Sequence, residues 1–149
     1  MNHGNGTRAG SPRQGDTGCQ PAITLAAEEG TSLSSGSLRL YASLTTHHSS
    51  LIVGCIDLYA YDPLNRRAAV GIMVATEHRR QGYALAMLQA LTVQYHGILH
   101  TLYADIAATN SASLTLFAKA GYSECGHFKE WLNINGQYID SIRMQKTIS

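Results

Sequence analysis

Charged residues are scarce in this chain of 149 residues, at 14%, and 11 Lys and Arg nearly balance 10 Asp and Glu. This balance gives no basic patch of the kind that binds nucleic acid or an anionic membrane surface. No apolar run approaches the roughly 18 residues that a membrane-spanning helix needs. The first ten residues also lack the apolar stretch of a secretory signal peptide. We therefore expect a cytoplasmic protein whose partners include no nucleic acid and no membrane.

Cysteine is equally sparse, since Cys19, Cys55 and Cys125 lie far apart and form no CxxC pair. This spacing indicates neither a disulfide framework nor a zinc site. His47 and His48 fall in a polar turn with no third ligand at a suitable spacing, so we expect no metal. Cys125 has no histidine in a nucleophile pattern, and we expect a buried thiol there.

Aromatic residues are absent from positions 1–35, where 18 residues are Gly, Pro, Ser, Thr or Asn. Such a stretch buries too little apolar surface to offset the entropy lost on ordering. We predict a flexible leader over 1–35, with a short helix at 22–29, followed by one domain over 36–149.

From residue 37 onwards the apolar residues follow clear periods. Alternation predicts strands, whereas Ala84, Leu88, Leu91 and Tyr95 form one helical stripe. Asn135-Gly136 suits a type I′ hairpin turn. The predicted elements are strands over 38–44, 51–61 and 67–74, a helix over 83–97, a strand over 98–107, a helix from Asn110 to about Ala120, and a C-terminal hairpin. This order predicts an α/β fold of the α+β type, with a mixed, mostly antiparallel sheet and two helices.

A short polar loop, Arg79-Arg80-Gln81-Gly82-Tyr83-Ala84, leads from the third strand directly into the first helix. The first N–H groups of a helix have no intrahelical partner, which makes this end a site for phosphate. Gly82 allows a ligand to approach the backbone, and Arg79 and Arg80 add positive charge. The loop lacks the spacing of a nucleotide P-loop and of a dinucleotide fingerprint. An ordinary strand–helix loop with solvated arginines is the alternative.

Several motifs together resemble the GCN5-related N-acetyltransferase (GNAT) family. The loop fits the family's R/Q-x-x-G-x-G/A motif, and VGCIDLYAYDPLNRRAAVGIMV at 53–74 is similar to the strands before it. Asn110, with Leu116-Phe117-x-x-x-Gly121-Tyr122, resembles N-x-x-A/S-x-x-L-Y-x-x-x-G-F. The closing NGQYIDSIRM is similar to the last hairpin of the spermidine/diamine and ribosomal-protein acetyltransferase branch. The resemblance covers about residues 37–149.

The resemblance implies an enzyme that moves acetyl from acetyl-CoA to a primary amine by direct attack. The amine would be a polyamine, a diamine or a protein N-terminus. In the family, the strand before the loop binds pantetheine and polarises the thioester, the loop holds the pyrophosphate, and the next helix flanks the sulfur. The implied acetyl-CoA-binding residues are Ile72, Met73, Val74, Arg79, Arg80, Gln81, Gly82, Tyr83, Ala84, Asn110, Ser113 and Phe117.

Two positions depart from the family's catalytic pattern. Phe117 stands where many relatives carry a tyrosine whose hydroxyl protonates the leaving thiolate. Ala68 and Ala69 occupy the region where relatives often place a glutamate. The catalytic residues therefore stay unassigned. A water chain could supply the general base. The side chains that remain open for this role are Asp57, Tyr59, Tyr61, Glu77, His78 and Asp105.

The family also begins with a strand and two helices that cover the acceptor site, and residues 1–35 do not resemble them. We therefore expect these elements to be missing and apolar surface to be covered in a homodimer or higher homo-oligomer. Phe128, Trp131 and Tyr138 are expected in the core or in that interface. The alternative function is a non-catalytic acyl-CoA-binding or oligomerising domain derived from such an enzyme.

Overall fold

The computed structural model describes residues 22–45 and 48–149. In this part of the chain, two α-helices and a seven-stranded sheet form the fold. The helices are α1 (Tyr83–Tyr95) and α2 (Ser111–Lys119). The strands are β1 (Ile23–Ala27), β2 (Ser37–Thr45), β3 (Ser50–Asp62), β4 (Arg67–Val74), β5 (Thr101–Ala107), β6 (Ser123–Ile134) and β7 (Gln137–Thr147). Their order in the sheet is β1-β2-β3-β4-β5-β7-β6.

All neighbouring strands are antiparallel except β4 and β5, which are parallel. These two strands pair only from Arg67 and Thr101 to Ala69 and Tyr103. Beyond that point they separate, so the facing backbone edges have no partner strand. The predicted mixed, mostly antiparallel sheet with two helices is confirmed, and the separation of β4 from β5 positions the site.

Side chains alternate between the two faces of the sheet. On the helix face, residues such as Leu40, Ile56 and Leu102 are fully buried and pack in one core with Leu88 of α1 and Phe117 of α2. The other face, which we call the open face, carries polar and aromatic side chains. On β2 to β7 these are the side chains of Arg39, Tyr41, Asp57, Tyr59, Tyr103, Asp105 and Arg143, and Gly71 of β4 lies on the same face.

The N-terminal region differs from the sequence prediction. Residues 23–27 form β1, which pairs with β2, where a short helix at 22–29 was predicted. Leu25 is buried against the core. Pairing with β2 satisfies the backbone hydrogen-bonding groups of β1, and the composition of a segment does not predict such a long-range pairing. The sheet therefore begins within the predicted leader, and the expectation that no N-terminal strand exists is corrected. Between β1 and β2 lies a 3-10 turn, Leu33–Ser35. The rest of the leader, residues 1–21, lies outside the described residues.

The turns follow the local sequence closely. Asn135 and Gly136 have φ values of 51° and 82°, as the predicted type I′ turn requires. Helix α1 ends at Tyr95 rather than at the predicted Gly97, which adopts a left-handed φ of 81° after the helix. Strand β5 begins at Thr101 instead of residue 98, because the preceding residues form a turn bridged from His96 to Leu99.

Candidate functional site

A cleft of about 840 Å³ lies between the end of β4, the first turn of α1 and one side of α2. It contains every predicted acetyl-CoA-binding residue except Gln81 and Phe117. Its lining residues are Ile72, Met73, Val74, His78, Arg79, Arg80, Gly82, Tyr83, Ala84, Leu85, Asn110, Ala112, Ser113, Thr115, Leu116 and Lys119. The structure thus brings together in one cleft the strand, the loop and the second helix to which the family resemblance assigned the acetyl-CoA site.

The N-terminus of α1 is open toward this cleft. Gly82 is its N-cap residue with φ 80°, and no side chain caps the helix. The first hydrogen bond of the helix runs from the Ala86 N–H to the Gly82 carbonyl, at 3.1 Å. The N–H groups of Tyr83, Ala84 and Leu85 precede it and have no intrahelical acceptor. A Cβ atom at Gly82 would meet no atom within 4 Å, so there is room for an anion beside these donors.

The charge of the cleft also suits an anion. Arg79, Arg80, Lys119 and His78 line it, and none of its lining residues is a carboxylate. Arg79 donates from Nε to the Val74 carbonyl at 3.2 Å, which ties the loop to the end of β4 and leaves its outer N–H groups for a ligand. Such a cleft, with donors and positive charge at a helix N-terminus, binds phosphate groups.

Strand β4 supplies a second kind of contact. Ile72, Met73 and Val74 lie beyond the last pair between β4 and β5, so their backbone edge on the β5 side is unpaired. An extended ligand with amide groups can hydrogen-bond this edge as another strand would. The N–H groups there can also donate to a polarised carbonyl oxygen.

Helix α2 closes the opposite side of the cleft. The Asn110 side chain accepts a hydrogen bond from the Ser113 N–H at 3.1 Å and caps the helix, as predicted. Sequence reasoning missed four lining residues of this helix, Ala112, Thr115, Leu116 and Lys119. Their spacing of three and four residues places them on one helical face, and this spacing was the available signal.

Two predicted residues lie elsewhere. Gln81 is exposed and does not line the cleft. Phe117 is 3% exposed and packs edge-on against Tyr122, because its helical position faces the core while Leu116 faces the cleft. The Tyr122 hydroxyl is buried and makes no hydrogen bond with any residue that the structure describes, and burial raises its pKa well above the usual range.

The open general-base candidates are dispersed. Only His78 lines the cleft. Asp57 accepts both hydrogen bonds of the Arg39 fork, at 2.7 and 2.8 Å, and lies on the open face. Asp105 is held in the same way by Arg143, at 2.7 and 2.9 Å. Burial, and then the charge of Asp105, raise the pKa of Tyr59, so its phenol stays protonated near neutral pH.

The remaining predicted positions give mixed results. Cys125 is exposed on β6, and its thiol donates to the Arg143 carbonyl at 3.4 Å. The predicted buried thiol is therefore wrong, because β6 is an edge strand with an irregular register beside this residue. Trp131 and Tyr138 are 66% and 64% exposed, which excludes the core for both and leaves the interface as a prediction.

Over residues 22–45 and 48–149, no group of three or more His, Cys, Asp or Glu could hold a metal ion. No helix in these ranges is both long and apolar enough to cross a membrane. Cys19 and His47 lie outside the described residues.

Comparisons with known proteins agree with the geometry of the cleft. The family model described as an acetyltransferase (GNAT) domain matches residues 20–123. Spermidine N(1)-acetyltransferase of Vibrio cholerae is 32% identical over 95 residues, which are 62% of this chain and 55% of the relative. The enzyme of the same name from Escherichia coli K12 is 31% identical over 96 residues, 61% of this chain and 50% of the relative. The chain thus spans about half the length of these curated relatives.

Solved structures of the Vibrio cholerae enzyme share the fold. Its spermidine N-acetyltransferase in complex with CoA and spermine aligns with a TM-score of 0.71 at 26% identity, covering 77% of this chain and 68% of that one. A dodecameric structure of the enzyme from the same organism gives a TM-score of 0.69 at 27% identity, covering 76% and 66%. The family and the spermidine branch predicted from the motifs are thereby confirmed. This chain belongs to the GNAT acetyltransferase-domain family.

Proposed function

We propose that the protein binds acetyl-CoA in the cleft and transfers its acetyl group to a primary amine of a linear polyamine. The observation that carries this proposal is the meeting of the uncapped α1 N-terminus, the arginine loop and the unpaired edge of β4 in one cleft. Acetyl-CoA has the matching parts, which are phosphates, an amide-bearing pantetheine arm and a thioester.

The residues present fit acetyl-CoA part by part. The first N–H groups of α1, with Arg79 and Arg80, would hold the pyrophosphate. The edge of β4 at 72–74 would hydrogen-bond the pantetheine amides, with α2 on the other side. The side of α2 that carries Ser113 and Leu116 would keep water from the arm.

In the reaction, the amine lone pair forms a C–N bond to the thioester carbonyl carbon and the C–S bond breaks. The sulfur leaves with its electron pair and takes up a proton, while the nitrogen loses one. A backbone N–H of β4 that donates to the carbonyl oxygen stabilises the charge developing there, by roughly 3–4 kcal/mol for one such donor. Holding the amine in line with the carbonyl supplies much of the remaining acceleration.

Fewer side chains are available to transfer protons in this chain than in relatives with a tyrosine at the position of Phe117. Phe117 has no proton to give, but a thiol pKa near that of free cysteine, about 8.5, makes thiolate a tolerable leaving group. Among the open general-base candidates, His78 lies in the cleft and would accept the amine proton, directly or through water.

The names of the relatives support a polyamine acceptor. Those from Vibrio cholerae and Escherichia coli are named spermidine N(1)-acetyltransferases, and one solved structure contains spermine. We therefore infer a polyamine as the acceptor, with a diamine or a protein N-terminus as the competing amines. A cytoplasmic enzyme fits these substrates.

A homo-oligomer belongs to the same proposal. The solved Vibrio cholerae relative includes a dodecameric form. Trp131 and Tyr138 of the β6–β7 hairpin present exposed aromatic surface that a second copy would cover.

A non-catalytic acyl-CoA-binding domain is the second candidate, favoured by the missing hydroxyl at Phe117. Calorimetric titration of acetyl-CoA followed by a thiol-release assay over spermidine, a diamine, a monoamine and a peptide separates the two. Binding with amine-dependent thiol release supports the enzyme, and binding without release to any amine supports the second candidate. Absence of acetyl-CoA binding by the folded protein contradicts both.

A further inference from the structure

Charged residues from neighbouring strands stand in one row across the open face. The register places Arg39 of β2 beside Asp57 of β3, and Asp57 beside Gly71 of β4. The Glu28 N–H donates to the Arg39 carbonyl at 2.8 Å. Glu28, which directly follows β1, therefore lies beside Arg39 and is the outermost residue of the row. The row therefore runs from a carboxylate at the sheet edge to a glycine next to the point where β4 and β5 separate.

A second cavity, of about 290 Å³, lies along this row. Its lining residues are Glu28, Thr31, Ser37, Leu38, Arg39, Asp57 and Tyr59. Arg39 and Asp57 neutralise each other in their two hydrogen bonds. Glu28 accepts a hydrogen bond from the Tyr41 hydroxyl at 2.7 Å and has no ion pair within the described part of the chain. The cavity thus holds one uncompensated negative charge, at Glu28.

Tyr59 connects this cavity with the proposed reaction centre. Its ring lies beside Gly71, since a Cβ there would stand 3.7 Å from the Tyr59 Cε1 atom. Its hydroxyl makes no hydrogen bond to any residue that the structure describes. After burial, the negative charge of Asp105 on β5 helps to raise the pKa of Tyr59. Gly71 directly precedes Ile72–Val74, which line the first cleft.

We propose that the second cavity selects a linear acceptor with at least two cationic nitrogens, whose reacting nitrogen contacts the Tyr59 hydroxyl and whose distal ammonium binds Glu28. The proposal rests on the proposed function and deepens it. Adjacent strands lie about 4.8 Å apart, so the path from Gly71 across β3 and β2 to Arg39 or Glu28 is roughly 10–14 Å. Only an extended di- or polyamine reaches both ends. A monoamine uses Tyr59 alone.

Titration of spermidine and of a linear monoamine of similar length into CoA-saturated protein tests Glu28. Glu28→Gln keeps an acceptor for the Tyr41 hydroxyl and removes the charge. We expect it to weaken spermidine binding about fivefold, as for a half-buried ion pair, and to leave monoamine binding unchanged. Glu29→Gln, the matched control at the exposed neighbouring position, should change neither. Equal effects on both amines, no effect of Glu28→Gln, or no spermidine binding at all would overturn the proposal.

Tyr59→Phe tests the reacting end. In steady-state assays we expect a higher KM for spermidine and for the monoamine alike, with unchanged acetyl-CoA affinity. Tyr138→Phe on the exposed hairpin is the control. An unchanged KM in Tyr59→Phe contradicts this part. The titrations need no turnover, so Glu28-dependent binding without acetyl transfer would overturn the proposed function alone. Amine acetylation without Glu28 dependence would overturn this inference alone.

Discussion

Phe117 and Tyr122 meet edge to face, with their ring centroids 4.9 Å apart and their planes at 89°. The family motif has tyrosine at the first of these positions and phenylalanine at the second. In this chain the hydroxyl stands on the other ring of the same contact. The Tyr122 hydroxyl is buried and finds no hydrogen-bond partner among the residues that the structure describes, so a polar atom is left unsatisfied in this part of the core.

Tyr122→Phe should therefore stabilise the protein. The change removes an unsatisfied buried hydroxyl and keeps the ring contact with Phe117. Removing the hydroxyl should raise the free energy of unfolding by about 1 kcal/mol. Urea denaturation of Tyr122→Phe and of the parent protein measures the difference. A less stable Tyr122→Phe protein would show that the hydroxyl has a partner.

Gly82 and Gly97 allow a matched test of the phosphate loop. Both have left-handed φ values, 80° and 81°, and a Cβ at either would meet no atom within 4 Å. Alanine at either position should therefore cost a similar stability, about 1–2 kcal/mol. Only Gly82→Ala should weaken acetyl-CoA binding, by about tenfold or 1.4 kcal/mol, because its Cβ would stand where we propose that the pyrophosphate binds. If calorimetry gives Gly82→Ala and Gly97→Ala the same acetyl-CoA affinity, the assignment of the pyrophosphate to this loop is wrong.

Gly54 allows β3 to lie close to the end of β4 that lines the cleft. A Cβ at Gly54 would collide with the Met73 carbonyl oxygen and stand 3.1 Å from the Val74 Cα atom. Gly54→Ala must move β4, so we expect a loss of about 1–3 kcal/mol in unfolding free energy and weaker acetyl-CoA binding. Gly71→Ala is the stability control, because its Cβ would make only ordinary contacts. Gly54→Ala with unchanged stability would mean that β3 relaxes without cost.

The parts of the site that sequence could predict are those encoded locally. The loop from Arg79 to Ala84 and the Asn110 cap depend on residues a few positions apart, so their motifs were sufficient. The open face depends on strand register, which joins Arg39 to Asp57 and Asp105 to Arg143 across long stretches of chain. No local period reports such pairs. The same holds for β1, whose pairing with β2 outweighs its weak composition.

The ionisation of Asp140 should make the stability of the β6–β7 hairpin depend on pH. Its carboxylate bonds to His127 Nε2 at 2.7 Å and accepts the Glu130 N–H at 2.8 Å, where β6 has a bulge. The hydrogen bond with His127, and then that with the Glu130 N–H, lower the pKa of Asp140. A lowered carboxyl pKa stabilises the folded state above the unfolded value, about 3.9, and this stabilisation is lost as pH falls through the folded pKa.

Asp140→Asn should accordingly lower the urea midpoint at neutral pH, and its difference from the parent protein should shrink as pH falls below about 4. Asp62 is the comparison, because its pKa is also lowered but its hydrogen bonds, to Leu64 and Asn65, lie in another turn. Asp62→Asn should leave the hairpin's protection from hydrogen exchange intact. A difference between Asp140→Asn and the parent that stays constant with pH would contradict the ionic origin.

We expect Trp131 to lie in the contact between copies of this chain. It is 66% exposed, and its ring lies 5.2 Å from that of Phe128, so the hairpin presents a paired aromatic surface. Large aromatic side chains of this kind dominate interface energies. We expect at least a dimer in light scattering at micromolar concentration, and a lower mass for Trp131→Glu. Val93→Glu, at a 77% exposed position on α1, should keep the parent mass, because an exposed apolar residue alone does not make an interface. If both variants or neither dissociate, the hairpin is not the contact.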